Sequence, residues 1–175
     1  TQKVEGEIYL HQVEKNQNKK IVKGESYILS IDNIKRKKIR NNHSATHLLH
    51  ESLRNILGEH VRQKGSLVSD HKLRFDFTFN KSLTDNQIFE IESLVNKTIR
   101  TNLTRTEELI PIRMALESGA IALFGEKYPE KARVITFNST NDNELVSKEL
   151  CGGTHVDATG QIGAFKILSD SSVSS

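Results

Sequence analysis

Two short stretches of the 175-residue chain combine residue types and spacings that could do chemistry. The first is HSATHLLH at 43–50, where His43 and His47 stand four positions apart and share one face if the segment is helical. Two imidazoles so placed can share one cation, and an H-x-x-x-H pair is a common way for a helix to supply half a zinc site. The second stretch is CGGTH at 151–155, which holds the chain's single cysteine, Cys151, and ends at His155. Its two glycines let the backbone turn tightly between them. Either pair alone also reads as packed histidines or as a small buried thiol. Together, His43, His47, Cys151 and His155 make a three-histidine, one-cysteine set that suits zinc.

Composition bounds what else the chain can be. A chain of this length buries one substantial core, with room for a small satellite. Leu, Ile, Val and Phe recur periodically despite a high charged content, which excludes a disordered chain. One cysteine excludes an internal disulfide framework and fits a reducing compartment. With no signal peptide and no apolar run near about eighteen residues, a soluble, cytoplasmic protein without membrane contact is expected. The chain begins at Thr1 and ends in SSVSS, so both ends read as cut from a longer protein.

The net charge of +3 is too small to name a partner, but its distribution is informative. Lys35, Arg36, Lys37, Lys38 and Arg40 crowd the approach to His43. Most such runs are solvated faces. Beside a candidate metal site, however, a basic run suits a polyanionic substrate held through its phosphates.

The elements that must position these residues follow from periodicity. Val4–Leu10 and Ser26–Ile31 read as strands of a small β appendage, separated by the polar stretch 14–20. From about Asn42 to Leu57, the positions of Ala45, Leu48, Leu49, Leu53, Ile56 and Leu57 predict a helix, stopped by Gly58. A turn or bulge at 63–66 lies within Val61–Val68, and Leu73, Phe75, Phe77 and Phe79 alternate with polar residues as a half-buried strand. Thr84 to Gln87 has capping-box spacing, followed by a helix that should cover the sheet. A strand interrupted by Pro111 is expected at 106–113, then two helical segments, 114–118 and 120–124. Arg133–Phe137 reads as a strand, 139–144 as a polar loop leading through Leu145–Leu150 to Cys151, and Ile162–Leu168 as a closing strand. With no regular βαβ period, the expected class is α+β: a mixed or antiparallel sheet packed by helices, with a small partial β-barrel at the N-terminus. The expected domains are 1–34, the β subdomain, and 35–175, the core.

At these residues the chain resembles the editing domain of alanyl-tRNA synthetases. The resemblance rests on HSATHLLH, QKGSLV at 63–68, LRFDF at 73–77, ALFGEKY at 122–128, CGGTHV at 151–156 and IGAFKI at 162–167. The two metal-type pairs also occur in threonyl-tRNA synthetase editing domains and in free-standing trans-editing proteins; QKGSLV and ALFGEKY look like the synthetase. The resemblance implies an aminoacyl-tRNA ester hydrolase that removes serine or glycine from alanine tRNA. It implies Zn2+ as cofactor, with His43, His47, Cys151 and His155 as ligands, and Thr46 and Gln63 as polar residues of the editing pocket. Mischarged alanine tRNA and the remaining domains of a parent synthetase are the implied partners.

A separate pocket of this kind has a physical rationale. Rejecting one added hydroxyl in a synthetic site gives only about a hundredfold discrimination, so errors need later removal. A pocket that hydrogen-bonds the serine hydroxyl rejects alanine, which would leave buried polar groups unpaired. Without the resemblance, Thr46 would read as a hydroxyl bonded to its own helix and Gln63 as a turn residue. His50, one turn past His47, is a candidate to support a ligand or an ordinary surface histidine. Four protein ligands fill a tetrahedron, so the spacing leaves open whether zinc activates water, polarises the ester or positions substrate. Alternatives are a free-standing trans-editing deacylase and a zinc-stabilised tRNA-binding module without hydrolytic activity.

Overall fold

A computed structural model describes residues 2–4, 8–13, 21–122, 128–138 and 145–172. Contacts divide the chain into two compact units, Thr1–Ile31 and Asp32–Ser175. In the first unit, β1 (Gln2–Lys3) pairs antiparallel with β2 (Tyr9–Leu10). The expected strand 4–10 is therefore replaced by a short hairpin, closed by Val4 N–H donating to Ile8 O; residues 5–7 lie outside the described residues. The expected strand at 26–31 is absent, and Ile28 and Leu29 are 97% and 76% exposed. A β-favouring run without a partner has no ladder to join. No closed barrel forms among the described residues, and the polar stretch 14–20 lies outside them.

The second unit begins with α1 (Asn33–Leu57), nine residues longer at its start than the periodicity predicts. Asp32 caps it by accepting from Lys35 N–H at 2.9 Å. The apolar stripe starts only at Ala45, because the earlier turns are solvated; burial along α1 likewise begins at Ser44. At the far end, Gly58 takes φ 116 and donates to Arg54 O.

Two antiparallel sheets follow. β3 (Gln63–Val68) and β4 (Leu73–Phe77) form a hairpin with a register shift between Gln63 and Gly65, at the expected bulge. β5 (Thr104–Pro111), β6 (Lys131–Asn138) and β7 (Leu145–Leu150) form the second sheet, with β6 central. Pro111 ends β5 instead of interrupting it, and α3 (Ile112–Glu117) follows directly. The segment expected as a second helix, 120–124, is not helical at Ala120–Ala122; Ile121 bridges to Glu149, and 123–124 lie outside the described residues. The expected connector 145–150 is a strand, while the loop 139–144 before it lies outside the described residues.

Between the sheets runs α2 (Asp85–Thr101), with the expected capping box of Thr84 and Gln87 and a left-handed C-cap at Asn102. Its Ile91, Val95 and Ile99 pack with Leu48, Leu49 and Leu53 of α1 and with Ile135 and Phe137 of β6. The opposite face of β6 buries Ala132 and Val134 against Ala115, Ala120 and Leu150. Burial on both faces makes β6 the spine of the unit.

The expected closing strand 162–168 is instead a 3-10 turn (Thr159–Ile162) followed by irregular backbone. Side chains of α2 take the place of a neighbouring strand. Asn96 exchanges two hydrogen bonds with the backbone of Phe165, and Glu92 accepts from Ile167 N–H and pairs with Lys166. The strand-like alternation of Phe165 and Ile167 reflects packing on a helix. Among the described residues, no helix is long and apolar enough to cross a membrane.

Candidate metal centre

The site joins the middle of α1 to the exit of β7. His43 and His47 project from successive turns of α1, where the helix passes from solvent into the core. Cys151 follows β7 directly, and its N–H donates to Arg133 O, so the ladder with β6 fixes where the thiol starts. The turn then carries His155 back toward α1. The ligand-type atoms of His43, His47, Cys151 and His155 all lie within 4.8 Å of one another. Cys151 Sγ is 3.5 Å from His43 Nε2 and 3.3 Å from His155 Nε2. Zinc bond lengths in a tetrahedron place a sulfur and a nitrogen ligand about 3.6 Å apart. Donor types and spacing therefore fit a metal ion.

Gly153 makes the approach possible. A Cβ at that position would overlap the His43 ring, whereas one on Gly152 would meet nothing within 4 Å. Arg133 holds the turn from the other side, donating from one guanidinium nitrogen to Cys151 O and Gly153 O at 3.1 and 2.6 Å. Its other two nitrogens grip Glu107 at 2.6 and 2.7 Å.

The outer nitrogen of His155 is also occupied. Ser44 Oγ lies 3.2 Å from His155 Nδ1 and accepts from Val156 N–H. With Nε2 facing the cluster, the His155 proton belongs on Nδ1 and donates to Ser44. Glu149 is buried, with one oxygen 3.1 Å from His47 Nδ1 and the other 2.9 Å from His50 Nδ1. The His47 contact has an ion-pair distance but not hydrogen-bond geometry, and His47 Nδ1 has no hydrogen-bond partner among the described residues. His50 is not a surface residue: it is 1% exposed, and its Nε2 has no partner among the described residues. Spacing from Cys151 placed Glu149 two residues upstream, but its role needed the β7 ladder to become visible.

Burial makes these imidazoles bases of low proton affinity. It is the main cause that lowers His43 to about 4 and His155 to about 2, reinforced by the neighbouring histidines. His47 is lowered too, chiefly by burial and against the pull of Glu149. All three are therefore neutral near pH 7, the form that binds metals.

Thr46 lies between the two α1 histidines, buried, with its hydroxyl donating to His43 O at 2.6 Å. Gln63 heads β3 and donates to Ser66 Oγ at 3.2 Å; no hydrogen bond joins it to the cluster among the described residues. The basic run forms the first turns of α1, and none of its five cations pairs with a carboxylate among the described residues. Arg36, Lys37 and Arg40, with Asn33 and Asn41, line a groove of about 400 Å³ closed by Val156 and Gln161.

Residues 132–175 match the family model of the threonyl and alanyl tRNA synthetase second additional domain. Fold, donor cluster and match define a domain of that class. Over 87% of its length the chain is 50% identical to an alanine–tRNA ligase of Wolbachia pipientis, and over 99% it is 46% identical to one of Acidithiobacillus ferridurans. A third such ligase, from Parvibaculum lavamentivorans, is 49% identical over 87% of the chain. The chain belongs to the alanyl-tRNA synthetase family and corresponds to its editing-domain stretch. It spans 17 to 19% of the length of these relatives.

Proposed function

We propose that this chain is the editing deacylase section of an alanyl-tRNA synthetase, hydrolysing the ester that joins serine or glycine to alanine tRNA in the cytoplasm, alongside the synthetase's remaining domains. The observation that carries this reading is the convergence of His43, His47, Cys151 and His155, brought from two ends of the unit to one point. These four would hold Zn2+. When bound, zinc supplies Lewis-acid polarisation of the ester and activation of water.

The chain's own residues do the rest. Ser44 orients the ring of His155 through its outer nitrogen, and Glu149 sets a buried carboxylate beside His47. Thr46 uses its proton on His43 O, which leaves its oxygen as an acceptor for the hydroxyl of a misattached serine. Gln63, an amide that both donates and accepts, is the second reader of that side chain. Alanine has no hydroxyl to offer these groups, so they favour the serine ester over the alanine ester. The basic run that forms the first turns of α1 contacts the tRNA backbone near its acceptor end.

The test is deacylation of serine-charged alanine tRNA by the zinc-loaded chain, beside alanine-charged tRNA and a Cys151→Ala variant of measured metal content. Metal-dependent loss of serine with alanine retained is the expected result. One observation favours a second reading: the four protein donors are enough to fill the coordination of a tetrahedral ion, the pattern of a structural site. A zinc-stabilised tRNA-binding module would bind the charged tRNA while folded and fully loaded, and leave both esters intact.

A further inference from the structure

The five cations of the basic run do not face the same way. Arg36, Arg40, His43 and His47 stand at i, i+4, i+7 and i+11, a spacing that lays all four along one stripe of α1. Arg36 and Arg40 line the groove together with Lys37, and Gln161 closes it from the 3-10 turn. Val156, also in its wall, directly follows His155. Lys35 and Lys38 are exposed and do not line the groove; helical spacing puts Lys38 opposite the stripe and Lys35 on the flank away from Lys37. The stripe thus runs from a cationic groove straight into the donor cluster. Arg40 and His43 are separated by about 4.5 Å of helix rise, and Arg36 and His43 by about 10.5 Å.

Helix physics argues against this arrangement for stability alone. Cations crowd the positive end of the α1 dipole, where the capping carboxylate of Asp32 offsets them only in part. None of the five has a carboxylate partner among the described residues. A bound polyanion would relieve both costs. The guanidinium fork matches phosphate oxygens, and Gln161 with the asparagines of α1 can reach sugar or base edges.

We infer that the Arg36–Arg40 groove is the subsite for the last phosphodiesters of a single-stranded RNA 3′ end, and that Lys35 and Lys38 lie outside it. The stripe then feeds the terminal ribose, with its ester, toward His43. This deepens the editing reading and rests on it for the identity of the RNA. It also divides the basic run, treated above as one patch, into a working face and an idle one.

The experiment compares two double variants that remove equal charge, Arg36→Gln with Arg40→Gln and Lys35→Gln with Lys38→Gln, in the full 175-residue chain. Binding of a short 5′-labelled single-stranded RNA is followed by fluorescence anisotropy across a salt series. Metal content and circular dichroism, read in parallel, establish that both variants keep the fold. The arginine pair should lose about tenfold or more in affinity and flatten the salt slope by about 1.4, while the lysine pair changes little. Equal losses, a larger loss in the lysine pair, or no RNA binding by the parent chain would overturn the subsite. If the arginine asymmetry holds but no ester is cleaved, the deacylase reading alone has failed. If ester is cleaved but the asymmetry is missing, the subsite alone has failed.

Discussion

At the scale of single residues, the candidate centre depends on groups that are not themselves donors to a metal. Glu149 places a buried carboxylate 3.1 Å from the outer nitrogen of His47, and losing such a supporting group typically costs about 10–100-fold in metal affinity. Glu149→Gln should show that loss in a chelator competition with zinc. Glycine gives a sharper contrast. Gly153→Ala must displace the His43 ring and weaken zinc retention, whereas Gly152→Ala has open space and should leave retention and stability within about 0.5 kcal/mol of the parent. The titration of the imidazoles has a definite sign. In the metal-free chain, burial holds His43 at about 4 and His155 at about 2, below the ordinary 6.5. The unfolded chain therefore binds more protons as pH falls from about 6.5, and stability must decline through 4 and below. Urea midpoints of the metal-free protein across that range should fall with pH; a flat series would place these rings in water. The four donor residues were legible because the chain's single cysteine shares a glycine turn with a histidine. Glu149 and Arg133 were not, since a carboxylate and a guanidinium in strands carry no spacing signal until the ladder sets them beside the turn.

At the scale of elements, legibility followed how locally each one is determined. The capping box of α2 is written in adjacent residues and forms as read. Thr84→Ala should cost about 1 kcal/mol in thermal unfolding, the usual worth of such a cap. The bulged β3 and the alternating β4 were equally local. The start of α1 was hidden because Lys35 to Arg40 carry no apolar stripe, and cations near a helix start oppose its dipole. The strand β7 was hidden because two charged residues, Lys148 and Glu149, stand in its six positions and mask the strand pattern, although it pairs with its neighbour β6. The run at 162–167 failed in the opposite direction. Its alternation is real, but Asn96 and Glu92 of α2 satisfy backbone groups that a sheet would have bonded. Asn96→Ala should loosen this segment more than its exposed location suggests, detectable as faster amide exchange at Phe165.

At the scale of the whole molecule, the division at Asp32 makes a prediction about autonomy. A chain that starts at Asp32 keeps the α1 cap, both sheets and all four donor residues, and should bind cobalt with the same tetrahedral visible spectrum as the full chain. Loss of that spectrum would mean that residues 1–31 are needed to form the centre. The separation of the donors along the chain has a further consequence. His43 and Cys151 are 108 residues apart, so an ion held by both fastens α1 to β7 like a buckle. A covalent link closing a loop of that size removes roughly 4–5 kcal/mol of unfolded-state freedom, which bounds what an ion can do by the same means. It cannot be fastened early, because His43 and Cys151 meet only once α1 has docked beside the β6–β7 hairpin. Metal uptake would therefore be among the last events of folding, and the rate at which a chelator strips the ion would report how often the completed sheet lets go of the helix.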